Sequence, residues 1–147
     1  MIVAVDVVTS VVIARPRDVV AAYAADPDNA TAWYANIISV EWRSPRPLAI
    51  GTRVAFVARF LGRRLAYTYE IRDYRSGDRL VMSTDAGPYP MTTTYEWQDT
   101  ADGGTQMLLR NSGEPAGFGR VGAPVMAAAM RRANRKDLDR LKTILET

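Results

Sequence analysis

Residues 125–145 read VMAAAMRRANRKDLDRLKTIL. The stretch holds neither Gly nor Pro, and apolar residues return every three or four positions, so its period predicts an α-helix. Leu138, Leu141, Ile144 and Leu145 turn toward one side of the second half, and the same side of the first half carries Met126, Ala127, Met130 and Ala133. A helix that buries Leu along one half and mostly Ala and Met along the other leaves less filled volume beneath its first half, and close-packed interiors leave few such gaps unused.

Upstream of this helix the period changes to two. From residue 37 onward, apolar alternation is punctuated by turn signals at SPRPLAIG, LGRR, RSGD, AGPYP and TADGGT, which divide the segment into six strands. In VAFVARF the alternation places Val54, Phe56, Ala58 and Phe60 on one face, with Arg53 and Arg59 on the other. LAYTYEI likewise groups Leu65, Tyr67, Tyr69 and Ile71, and MTTTYEW groups Met91, Thr93, Tyr95 and Trp97. One face of the sheet is buried and the other is wet, as antiparallel sheets allow.

The chain opens with a Val- and Ile-rich strand over about residues 3 to 14. A short helix follows, with Pro16 in its first turn and Val19, Val20 and Tyr23 at helical spacing. Asp26 before Pro27 reads as an N-cap and first-turn proline, opening a second short helix that runs to about Trp33. The order strand, two short helices, six strands and one long helix predicts an α+β architecture of about seven strands, the antiparallel sheet curling around the C-terminal helix. An inner face carrying Phe56, Phe60, Tyr67, Tyr69, Tyr95 and Trp97 must be covered by that one helix, so a cavity is expected where the helix is thin.

The length of 147 residues fits one domain over residues 1–147. The apolar fraction of 48% and charged fraction of 24% are those of an ordinary globular chain. There is no cysteine, so no disulfide or thiolate metal site, and no histidine, the commonest general base and metal ligand near neutral pH. The net charge of +3 is modest, so nucleic acid is not an expected partner. Asp6 and Thr9-Ser10 interrupt the apolar N-terminus, which lacks a basic leader, and no stretch reaches the length of a spanning helix; a cytoplasmic location without membrane insertion is expected.

Several pieces together resemble the START-like, birch-pollen-allergen-like helix-grip superfamily, and within it the bacterial polyketide cyclase/dehydrase and lipid-transport group. They are VVIARPRDVVAAYAADPDNATAWYANIISVEW with its Pro16, Asp26-Pro27 and Trp33, then YRSGDRLVM, DGGTQMLLRNSGEP and the closing DLDRLKTILE. The resemblance covers nearly the whole chain. It implies a deep apolar pocket between sheet and C-terminal helix that carries lipids, sterols, polyketides or hormone-like molecules and, in some branches, catalyses cyclisation or dehydration. The cyclase branches tend to place His or Arg in that pocket, and this chain has no histidine.

The inward side chains Phe56, Phe60, Tyr67, Tyr69, Met91, Tyr95 and Trp97 are the candidate sheet wall of a ligand cavity, with core packing as the alternative role. Met126 and Met130 are candidates for the helical wall, since flexible thioethers suit varied apolar ligands. Asn134 and Asp137 fall within or beside the apolar stripe and each needs a partner, from a ligand, a neighbouring backbone group or a pocket-rim arginine. Asp85, Asn111 and Glu114 lie near strand ends where such a pocket opens, and a carboxyl there is a candidate general acid or base. The basic residues Arg131, Arg132, Arg135, Lys136, Arg140 and Lys142 read as a solvated helix face.

The expected function is binding or carriage of a small hydrophobic ligand without a cofactor or metal. Two other readings stay open at this stage: a cyclase or dehydratase acting on an apolar intermediate, and an interaction module whose cavity is vestigial.

Overall fold

The computed structural model describes residues 5–60, 62–84, 90–113 and 123–147. Strand β1 (Val5–Ile13) leads into α1 (Arg17–Ala25), a 3-10 turn at Pro27–Asn29 and α2 (Ala30–Trp33). Six strands follow: β2 (Ile37–Trp42), β3 (Arg53–Phe60), β4 (Arg63–Arg75), β5 (Arg79–Thr84), β6 (Met91–Asp99) and β7 (Thr105–Gly113). Helix α3 (Ala123–Glu146) closes the chain.

Local chemistry accounts for the breaks. Pro16 stands one position before α1, and its carbonyl accepts from the Val19 and Val20 amides at 3.1 Å. The Asp26 carboxylate accepts from the Asp28 amide at 3.0 Å, so the expected cap forms, but Pro27 opens a 3-10 turn before the α-helical residues begin. Gly77 turns β4 into β5 at φ 82°, a conformation that a side chain would strain. The AGPYP turn signal falls mostly on residues outside those described.

The strands form one antiparallel sheet in the order β1-β7-β6-β5-β4-β3-β2. Consecutive strands from β2 to β7 are neighbours, and β1 pairs with β7 along its whole length, from Val5 opposite Gly113 to Ile13 opposite Thr105. Register shifts at Ile37/Ser39 in β2 and Ile71/Asp73 in β4 add local twist to the sheet. Inward alternation holds in β3 and β6: Val54, Phe56, Ala58, Met91, Tyr95 and Trp97 are all buried.

Helix α3 lies on this inner face, giving a helix-grip architecture. Its C-terminal half is fastened to the end of β1. Lys142 Nζ donates to the Val12 carbonyl at 2.7 Å, the Glu146 carboxylate accepts from the Ala14 amide at 2.7 Å, and Arg15 donates to the Leu145 carbonyl at 2.8 Å. Beneath that half, Leu138, Leu141 and Leu145 pack into the main core with Ile13, Trp97 and Leu109. Each fully buried leucine there contributes about 1.5–3 kcal/mol relative to exposure.

Candidate functional site: a cavity beneath the middle of the C-terminal helix

The apolar inner face is not filled everywhere. A cavity of about 170 Å³ lies between α3, the short helices and the sheet. Strands β3 and β4 supply Val54, Phe56, Phe60, Leu65, Tyr67 and Tyr69 to its wall. Strands β5 to β7 supply Leu80, Met82, Met91, Thr93, Tyr95 and Asn111, and the region of α1 and α2 adds Ala24, Ala25, Pro27, Ala30 and Tyr34. From α3 come Met130, Ala133, Asn134 and Asp137.

Ten of the sequence-derived candidates therefore meet at one cavity: Phe56, Phe60, Tyr67, Tyr69, Met91, Tyr95, Asn111, Met130, Asn134 and Asp137. Trp97 and Met126 do not line it. Trp97 is 2% exposed and sits in the main core under the leucine half of α3, two residues past the point where the cavity ends along β6. Met126 packs with Val5, Val7 and Leu65, three side chains that close the space beneath the first turns of α3. Ala127 is packed against the same cluster. The thin part of the helix runs from Met130 to Asp137, so of the stripe expected to be thin in the first half, Met130 and Ala133 face the cavity and Met126 and Ala127 do not.

Of the polar candidates, Asn111 reaches the cavity and Asp85 and Glu114 lie outside the described residues. Tyr34 was not singled out in the sequence because it follows α2 in a loop, where no periodicity marks which way a side chain turns. The basic residues of α3 stay on its outer face; Arg140 uses its Nε to donate to the Ala32 carbonyl at 2.5 Å.

Two polar groupings interrupt the apolar wall. The hydroxyls of Tyr34 and Tyr95 are hydrogen-bonded at 2.5 Å, and the Tyr34 ring leans on Trp33 with centroids 4.0 Å apart. Farther along the sheet, the Tyr69 hydroxyl meets Thr93 Oγ1 at 2.9 Å, and Thr93 donates onward to Asn111 Oδ1 at 2.8 Å. Burial pushes all three phenols above their ordinary range, for Tyr34 well above it, because the ionised form loses its water. They are neutral hydrogen-bonding groups at any physiological pH.

Asp137 is 3% exposed and accepts from the Ala35 amide at 3.0 Å. That bond ties the chain leaving α2 to α3 and is the neighbouring-backbone partner expected for a polar residue in the stripe. Burial raises its carboxyl to about 6, against the opposing pull of the Ala35 N–H and the charge of Lys136. Asn134, one turn earlier, is 6% exposed, and its Nδ2 has no hydrogen-bond partner among the described residues. No cluster of three or more metal-ligating side chains occurs among the described residues.

A curved antiparallel sheet gripping a C-terminal helix, with an apolar cavity between them, defines a START-like helix-grip protein. The chain belongs to the polyketide cyclase/dehydrase and lipid transport family, whose model matches residues 4–146. No curated protein matches the sequence significantly. Solved structures share the fold at low identity. A START superfamily protein from Mycobacterium smegmatis has a TM-score of 0.82 at 9% identity, covering 96% of this chain and 97% of its own. TTHA0849 from Thermus thermophilus has a TM-score of 0.79 at 19% identity, covering 94% of each chain. The Zhui aromatase/cyclase from Streptomyces sp. R1128 has a TM-score of 0.78 at 18% identity, covering 98% of this chain and 94% of its own. No helix among the described residues is long and apolar enough to cross a membrane.

Proposed function

We propose that this protein binds or carries a small hydrophobic ligand in the cavity beneath α3, with Phe56, Phe60, Tyr67, Tyr69, Tyr95 and Met130 as its principal contacts. Met91 from β6 and Asn134 from the middle of α3 complete the set. The observation that carries the reading is the cavity itself: about 170 Å³ of space walled mainly by apolar and aromatic side chains, with a few placed polar groups. Family membership supports it, since lipid transport is one of the activities that describe the family. Native mass spectrometry of the purified protein, followed by thermal-shift titration with ring-containing and acyl compounds, tests it. A bound adduct or a saturable rise in melting temperature is expected. A panel that leaves the melting temperature unchanged overturns the reading.

An acid–base enzyme is the second reading, favoured by one observation: Asp137 is a buried carboxyl at the cavity whose proton is held to about pH 6. Such a group can lend or accept a proton near neutrality, a contribution typically worth ~10²–10⁴-fold in rate. Under this reading Asp137→Asn loses turnover and keeps ligand affinity. Under the carrier reading the same variant has no turnover to lose.

A further inference from the structure

Asn134 and Asp137 stand three residues apart on α3, so their side chains share one face of the helix. Both are more than nine-tenths buried and both line the cavity. Their hydrogen bonding is incomplete in complementary ways. Asn134 Nδ2 is a donor with no acceptor among the described residues, and Asp137 uses one carboxylate oxygen on the Ala35 amide, leaving the other as an acceptor. Burying an unpaired amide donor is costly unless something in the cavity receives it.

The charges around this pair restrict what that something is. Among the described lining residues Asp26 and Asp137 are acidic, and there is neither Lys nor Arg. A bound carboxylate would meet a buried like charge without a counterion among the described lining residues. An ammonium would satisfy Asp137 but has no lone pair for Asn134. A hydroxyl does both, because it accepts through its lone pairs and donates through its proton. As to size, an apolar cavity of roughly 150 Å³ takes a benzene molecule, so this one, at about 170 Å³, suits one substituted ring.

We propose that the ligand is a neutral, ring-sized molecule with a hydroxyl group, received by Asn134 Nδ2 as donor and Asp137 as acceptor while its apolar part lies against the aromatic wall. This deepens the ligand-binding reading and rests on it.

The test uses four probes of one skeleton: 2-phenylethanol, propylbenzene, phenylacetate and 2-phenylethylamine, titrated at pH 7.5 by calorimetry into the wild-type protein and the Asn134→Leu variant. Among the three polar probes, 2-phenylethanol binds tightest, with phenylacetate weaker by at least ~10-fold, as an uncompensated buried charge requires. Asn134→Leu weakens 2-phenylethanol about 3- to 10-fold, the share of one net hydrogen bond, and leaves propylbenzene nearly unchanged. Equal effects on alcohol and hydrocarbon overturn the hydroxyl assignment and leave the cavity reading standing. Tighter binding of the amine or the acid overturns it as well, and that ranking needs no variant. If none of the four binds the wild-type protein, the hydroxyl assignment fails, and the reading beneath it is decided separately by the wider panel of ring-containing and acyl compounds.

Discussion

The hydroxyls of Tyr34 and Tyr95 meet at 2.5 Å, joining the end of α2 to strand β6 across sixty-one residues of sequence. Each satisfies the other's buried polar atom, and each ring forms part of the cavity wall. The pair thus holds the short helices against the sheet while lending the cavity its polar corner.

Removing one partner strands the other. Tyr34→Phe and Tyr95→Phe are each expected to cost about 1–3 kcal/mol, the penalty of a buried hydroxyl without a partner. The double variant should cost less than the two single costs added, since the stranded group is gone as well. Urea unfolding of the four proteins checks it, and strict additivity would show that the two hydroxyls do not depend on each other.

Asp137 makes stability fall with rising pH. Its folded value of about 6 lies above the ordinary 3.8, so between these pH values the folded protein holds a proton that the unfolded chain has released. Stability contributed by the protonated form is complete near pH 4 and lost by about pH 6 and above. At about 1.4 kcal/mol for each pH unit between the two values, the loss reaches roughly 3 kcal/mol. Tyr34 and Tyr95, the phenols facing Asp137, ionise far above this window. Asp137→Asn should flatten the slope and raise stability at pH 7.5; chemical denaturation at pH 4.5, 6 and 7.5 reads both.

The cavity-facing alanine of α3 is Ala133, whereas Ala127 is packed against Val5, Val7, Leu65 and Met126. Ala133→Leu should therefore be nearly neutral in stability, its added atoms entering open space, and should weaken binding of any ligand that fills the cavity. Ala127→Phe should cost about 1–3 kcal/mol as overpacking, and Leu141→Ala about 2–5 kcal/mol as a core truncation. Thermal unfolding decides the order. An Ala133→Leu protein as unstable as Leu141→Ala would mean that no usable space lies under the middle of the helix.

Trp33 should report ligand binding better than Trp97. Trp33 is fully buried behind the wall, its ring 4.0 Å from Tyr34 and 5.8 Å from Tyr95 by centroids. Trp97 meets the wall through Tyr95, at 6.0 Å, and sits in the leucine core. A fluorescence response to a bound ring should survive Trp97→Phe and shrink in Trp33→Phe. The reverse pattern would place the ligand at the leucine end of α3.

The order of elements and the face each presents were readable from the chain alone, because both follow from periods set by residues close in sequence. Alternation in VAFVARF and MTTTYEW is a property of the pleated strand, and the stripe through Leu138, Leu141 and Leu145 is a property of the helical repeat. Neither period carries information about what lies opposite. Tyr95 and Trp97 share the same inward alternation, yet the first borders open space and the second is packed solid, according to which part of α3 passes above them. Met126 looked like cavity wall until Val5, Val7 and Leu65, from two strands distant in sequence, closed around it. Asp137 found its partner at Ala35, 102 residues away. Contacts of this range arise only when the sheet curls and the helix docks, so the position of the void, and the polar groups left facing it, were decided by tertiary packing.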